Sequence, residues 1–224
     1  EASPLFGQYD FDERIYLVEN KEVTRIQLPA YVCPSDDALG RFWGNNSIGD
    51  RFARSNYAAS YGSSGQAPDL DPAGTHYAHV NPYDHDGPQL ESDGMFRIQA
   101  SKMGRRLAEV TDGTSQTAMI AEIIAGQSDR VVDSNDRGDL RGLWAHIWMG
   151  SAAYTHWLTP NNSTGDAIWH KWCVDQPEQG LPCTESQFPS LPGGHEHAAA
   201  RSHHPGGVNV TFGDGHVGFY ADEV

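Results

Sequence analysis

The chain has 224 residues and a mass of 24.6 kDa, which allows a single domain with its own core. Glycine and proline together make up 37 of the 224 residues, favouring many short elements over a helical bundle. Lys plus Arg number 15 against 30 Asp plus Glu, a formal charge of −15. That charge disfavours nucleic acid and anionic lipid as partners, and no run of about 18 apolar residues offers a membrane span.

In chain order, Arg14 to Glu19 alternates, with Ile15 and Leu17 opposite Tyr16 and Val18, and predicts a strand. Residues 1–20 are therefore the candidate for a segment that adds to a neighbour's sheet. Leu28-Pro29 and Cys33-Pro34 exclude a helix there. The polar, turn-rich stretch from Asp36 to Asp93 is too long for a structureless loop, so short strands such as Ser55 to Tyr61 are expected in it. Met103, Leu107 and Val110 predict a short amphipathic helix over 100–109. Gln116 to Ile124 reads as a buried strand and Leu143 to Met149 as another. Near the end, Val208 to Phe212 and Val217 to Tyr220 flank Gly213-Asp214-Gly215, a strong hairpin signal. The sum is a β-rich α+β domain over 1–224, an antiparallel sheet or sandwich with long loops and one or two short helices.

Cys173 and Cys183 lie ten apart across a stretch with Pro and Gly that can double back, and predict a disulfide in an oxidising compartment. Cys33 is left odd, which suggests a partner upstream or in another chain. Asp133, Asn135 and Asp139, with Gly138 among them, resemble the start of a calcium loop, although Leu143 stands where the bidentate Glu belongs. No cofactor is expected apart from calcium at this loop. Asn45, Asn161 and Asn162 open glycosylation sequons in expected loops. His195, His197, His203 and His204 are dense enough to suggest zinc or nickel, but their spacing fits no helical metalloprotease motif.

Four stretches together resemble a bacterial family. They are Leu28 to Asp36 (containing Cys33-Pro34-Ser35-Asp36), Ser55 to Ala59, Val110 to Glu122 (with Asp112-Gly113), and Ser202 to Asn209. In the last, His204 is followed by nine residues and then Asp214-Gly215. This is similar to the pilin-like DUF1559 proteins of planctomycetes, whose C-terminal signature has that spacing, and the likeness runs from about residue 10 to the end. The resemblance implies an exported, surface-associated protein of pseudopilin or filament-subunit character. Such proteins carry a prepilin peptide and a long apolar helix upstream, which would also offer Cys33 a partner. His204, before Pro-Gly-Gly, is expected to fix the hairpin by a hydrogen bond across it.

The expectation is thus a non-enzymatic structural subunit of an extracellular or cell-surface filament, partnered by copies of itself. A secreted carbohydrate-binding module using the tryptophans is the alternative, and a metal-dependent hydrolase built on residues 195–204 comes third. A deep cleft ringed by histidines and acids would speak for the last.

Overall fold

A computed structural model describes residues 3–13, 18–45, 50–63, 69–70, 77–78, 93–96, 105–127, 138–146, 149–169, 172–186 and 196–223. The chain opens with two short helices, α1 (Ser3–Phe6) and α2 (Val18–Thr24). Val18 and Glu19 are therefore helical where alternation predicted a strand, and residues 14–17 lie outside the described residues. The reason is a helical period: Asn20, Val23 and Thr24 are the buried positions, three and four apart on one face. Asn20 also donates from Nδ2 to the carbonyls of Asp10 at 2.8 Å and Glu13 at 3.2 Å, which ties the preceding loop to the helix.

Among the described residues, eleven strands follow. β1 (Phe42–Asn45) and β2 (Asp50–Ala53) form an antiparallel pair, and β3 (Tyr57–Ser60) lies in the stretch where a strand was expected. β4 (Asp69–Leu70) and β5 (Tyr77–Ala78) make a minimal ladder. β6 (Ala118–Glu122) is the core of the strand predicted over 116–124. β7 (Ala153–Tyr154) is followed by β8 (Asp166–Trp169) and β9 (Cys183–Ser186), a parallel pair. β10 (Gly207–Phe212) and β11 (Val217–Ala221) form the predicted hairpin. Gly215 turns it in the left-handed region at φ 91°, and the Asp214 carboxylate accepts the His216 N–H at 3.1 Å.

The central sheet has five strands in the order β11-β10-β6-β3-β7, antiparallel except for β3 beside β7. Alternation along β10 sends Val208, Val210 and Phe212 inward onto Ala58, Ala121, Ile123 and Tyr154. Burying each of those large side chains stabilises the fold by roughly 1.5–3 kcal/mol. The strand ladder also explains Gly207: a Cβ there would stand 2.0 Å from the Tyr220 carbonyl oxygen. A second cluster joins Trp43, Phe52, Leu140 and Leu143, with Trp172 packed on it.

Two expected elements take other forms. Leu143 to Met149 is not a strand in its described part: Leu143 bridges only to Arg54 and Met149 only to Ala153. Gly142 and Gly150, both at positive φ, put turns on either side and leave no extended run. Of the helix expected over 100–109, residues 105–109 contribute a single 3-10 turn, Leu107–Glu109. Leu107 is 65% exposed, and residues 100–104 lie outside the described residues.

A buried ionic cluster ties the 138–186 region to the sheet. Arg141 donates from Nε and Nη2 to Asp139 and from Nη1 to Asp166 at 3.0 Å. Arg201 meets Asp166 from the other side at 2.8 Å. Carbonyls of Val174, Leu181, Pro182, Asn162 and Thr164 take further guanidinium N–H groups. Burial works against the charge on Arg141, but Asp139 and then Asp166 outweigh it and raise its pKa above the ordinary value. Asp139, named above for the calcium loop, has its buried carboxylate on Arg141. Asp133 and Asn135 lie outside the described residues. The Cys173–Cys183 disulfide is present, with Cα atoms 6.1 Å apart. Among the described residues no helix is long and apolar enough to cross a membrane.

Candidate functional site

The four stretches that carry the family resemblance meet in space. Cys33 follows a 3-10 turn at Pro29–Tyr31 and donates its N–H to Asn56 Oδ1 at 2.9 Å. Asn56 in turn donates from Nδ2 to Asp36 Oδ2 at 2.5 Å, which joins the first stretch to the second. Glu122 ends β6, paired with Tyr57 of β3 in the ladder. Its Oε2 accepts both the backbone N–H of Asn209 at 2.7 Å and the Asn209 Nδ2–H at 3.1 Å. That pair of bonds turns Oε1 the other way. His204 sits in the turn before β10, its N–H donated to Ser202 Oγ at 3.0 Å while that hydroxyl donates to the Gly207 carbonyl at 2.8 Å.

The result is a compact cluster. His204 Nε2 lies 3.0 Å from Glu122 Oε1, Cys33 Sγ lies 3.6 Å from His204 Nε2, and Sγ lies 3.8 Å from Glu122 Oε1. Cys33 and Glu122 are buried, and the His204 ring is half-buried. Beside Cys33, Asn56 and Glu122 is a cavity of about 10 Å³, room for one water-sized occupant. The phenol of neighbouring Tyr57 is pushed up in pKa by burial, then by Cys33 and Glu122.

One expectation changes here. The neighbours of Cys33 in this chain are the Glu122 carboxylate and the His204 imidazole. The ring of His204 reaches sideways to β6, because Glu122 is the buried acceptor there, instead of bonding across the β10–β11 hairpin. Of the other histidines, His203 is exposed, the backbone of His197 pairs with Ala167, and His216 meets Asp214 at the turn. His195 lies outside the described residues. The histidines therefore do not form one centre among the described residues.

The remaining sequence candidates are dispersed. Asp112-Gly113 forms a turn in which Gly113, at φ 91°, accepts from Thr117 Oγ1. Asn161 donates from Nδ2 to Asp222 and accepts the Ser202 N–H, while Asn162 donates to Thr159 Oγ1, so both sequon amides are engaged in local bonds. The side chain of Asn45 lies outside the description. Trp43 is in the core, Trp172 packs against it, and the Trp144 N–H is donated to the Ile26 carbonyl. Trp157 is 51% exposed, with its ring 6.4 Å from that of His197.

A different surface stands at the rim of the sheet. β11 is a terminal strand of the central sheet. The Asp222 N–H bonds the Gly206 carbonyl and the Phe212 N–H bonds the His216 carbonyl. That register leaves Val217, Phe219 and Ala221 at the positions whose backbone groups point away from β10, to an edge that no other described strand pairs. Val217 and Phe219 are also 63% and 54% exposed.

Fold and site together define a β-rich α+β domain with one disulfide and a buried Cys–Glu–His cluster. The chain belongs to the family described as "Protein of unknown function (DUF1559)", whose model matches residues 1–224. No curated protein and no solved structure matches it.

Proposed function

We propose that the chain is a non-enzymatic structural subunit of an extracellular or cell-surface filament, pilin-like in character, that assembles with copies of itself. The observation that carries this reading is the β11 edge, where backbone groups without a ladder partner among the described residues coincide with exposed Val217 and Phe219. Such an edge is a template for strand addition. A disulfide suits an oxidising, exported setting. The described part of residues 1–20 is helical or turned, and the β11 edge is the surface offered for assembly.

A filament needs two different surfaces, because one self-complementary patch closes into a dimer. The second is an apolar groove of about 430 Å³ lined by Leu5, Phe6, Tyr9, Phe11, Tyr31 and Trp144. Phe6 and Phe11 lie open to solvent. Packing the Val217–Phe219 face of one copy into this groove of the next gives a head-to-tail contact that does not close. The cavity at Cys33 admits a water or an ion and not an organic substrate, which is consistent with a structural role.

Light scattering over a concentration series, followed by negative-stain microscopy, tests the reading. The chain should form elongated species that a Val217→Lys, Phe219→Lys double variant does not form. A wild-type chain that stays monomeric at high concentration, without fibres, overturns it.

A further inference from the structure

The geometry points to Cys33, Glu122 and His204 as a binding site for one borderline-soft divalent cation of the zinc class. This inference is independent of the assembly reading. Its basis is convergence. In a nucleophilic Cys–His–acid triad the acid takes the imidazole nitrogen remote from the nucleophile, so that the three groups stand in line. Here Cys33 Sγ and Glu122 Oε1 both face the same nitrogen, Nε2 of His204. Three donor atoms around one point are arranged as ligands and not as a relay.

The distances fit a metal. With Zn–S near 2.3 Å and Zn–N and Zn–O near 2.0 Å, the three observed separations subtend about 97° (N–O), 114° (S–N) and 124° (S–O) at the ion, around the tetrahedral angle. A mixed sulfur, nitrogen and oxygen set selects zinc-like ions over calcium or magnesium, which take oxygen ligands. The supporting shell is built as well. Asn209 fixes the carboxylate through its other oxygen, Asn56 fixes the Cys33 backbone, and Ser202 fixes His204. Such outer contacts orient ligands in metal sites. With three protein ligands, the fourth position is left to water or to a further donor.

The test is a titration of chelator-stripped protein with Co(II) and then Zn(II), anaerobically and without thiol reductant so that Cys173–Cys183 stays intact. One Co(II) per chain should bind with a thiolate-to-cobalt charge-transfer absorption, and Zn(II) should displace it. Cys33→Ser should remove that absorption, and both Cys33→Ser and His204→Ala should weaken binding by about 100-fold or more, since even outer-shell losses cost 10–100-fold. Asn209→Ala, which touches only the carboxylate, should cost about tenfold and decides the matter if a ligand variant does not fold. A folded wild-type chain that shows no charge-transfer absorption overturns the site. So does binding that survives Cys33→Ser and His204→Ala, or, where those do not fold, binding that Asn209→Ala leaves unchanged.

Discussion

Two buried polar clusters among the described residues are built on opposite plans. Around Arg141 and Arg201, two cations face two carboxylates, and surplus guanidinium N–H groups end on backbone carbonyls. Around Cys33, Glu122 and His204, one carboxylate oxygen is saturated by Asn209, while the other, the thiol and the imidazole crowd a single point. Saturation of every donor makes a cluster a joint in the framework, because nothing remains to offer a ligand. Convergence of several donors on one point is how a site is made. The first cluster binds the 138–186 region to the sheet; the second is where chemistry can happen.

The difference should be plainest in stability. Asp166 accepts from Arg141, from Arg201 and from the Ala199 N–H. Asp166→Asn leaves the buried Arg201 guanidinium without a carboxylate and Arg141 with Asp139 alone. Breaking a buried pair in this way costs about 3–5 kcal/mol, a large part of the stability of an ordinary domain. Urea unfolding should show the midpoint collapse. A loss within about 1 kcal/mol would mean that the charges are not the joint they appear to be by geometry.

Only one of these plans left a trace in the sequence. The β10–β11 hairpin was legible because an Asp-Gly turn and period-2 alternation are local features. β6 was legible as an apolar run bracketed by Gly113 and Gly126. The segment over 143–149 misled, since its aromatic and small residues alternate for packing between turns and not for a ladder. Arg141, Asp166 and Arg201 gave no signal at all: single charges far apart in the chain look like surface residues until the fold pairs them. The site residues are 82 to 171 positions apart, beyond any periodicity. Yet Cys33, Asp36, Asn56, Glu122, His204 and Asn209 all fall inside the four stretches that carried the family resemblance. Asking where those stretches would meet was the available clue.

His146 probes the same core from the neutral side. Its ring stands nearly perpendicular to Phe52 and Trp172, at 6.4 and 6.0 Å between centroids. Burial pushes its pKa from 6.5 down to about 3. Between those values the unfolded chain binds a proton that the folded chain refuses. Stability from this group is therefore complete above pH 6.5 and is lost as pH falls toward 3, by up to about 1.4 kcal/mol per pH unit. The measurement is the slope of urea midpoint against pH from 7 to 5. His146→Phe should flatten that slope, whatever it does to the absolute stability, and an unchanged slope would assign the acid sensitivity to other groups.

The smallest effect is the most discriminating. In metal-free protein, Cys33→Ser should cost less than about 1 kcal/mol, because a thiol contact at 3.6–3.8 Å is weak and a hydroxyl can donate to the same partners. If the Cys33 cluster were a second joint in the framework, the loss would approach that of Asp166→Asn. The two variants measured side by side by urea unfolding separate the alternatives. Zinc then sharpens the contrast, since an ion that binds only the folded state raises the melting temperature of a chain that holds it. Wild-type protein should gain on addition of zinc, Asp166→Asn should gain by a comparable free energy from its lower start, and Cys33→Ser should gain nothing.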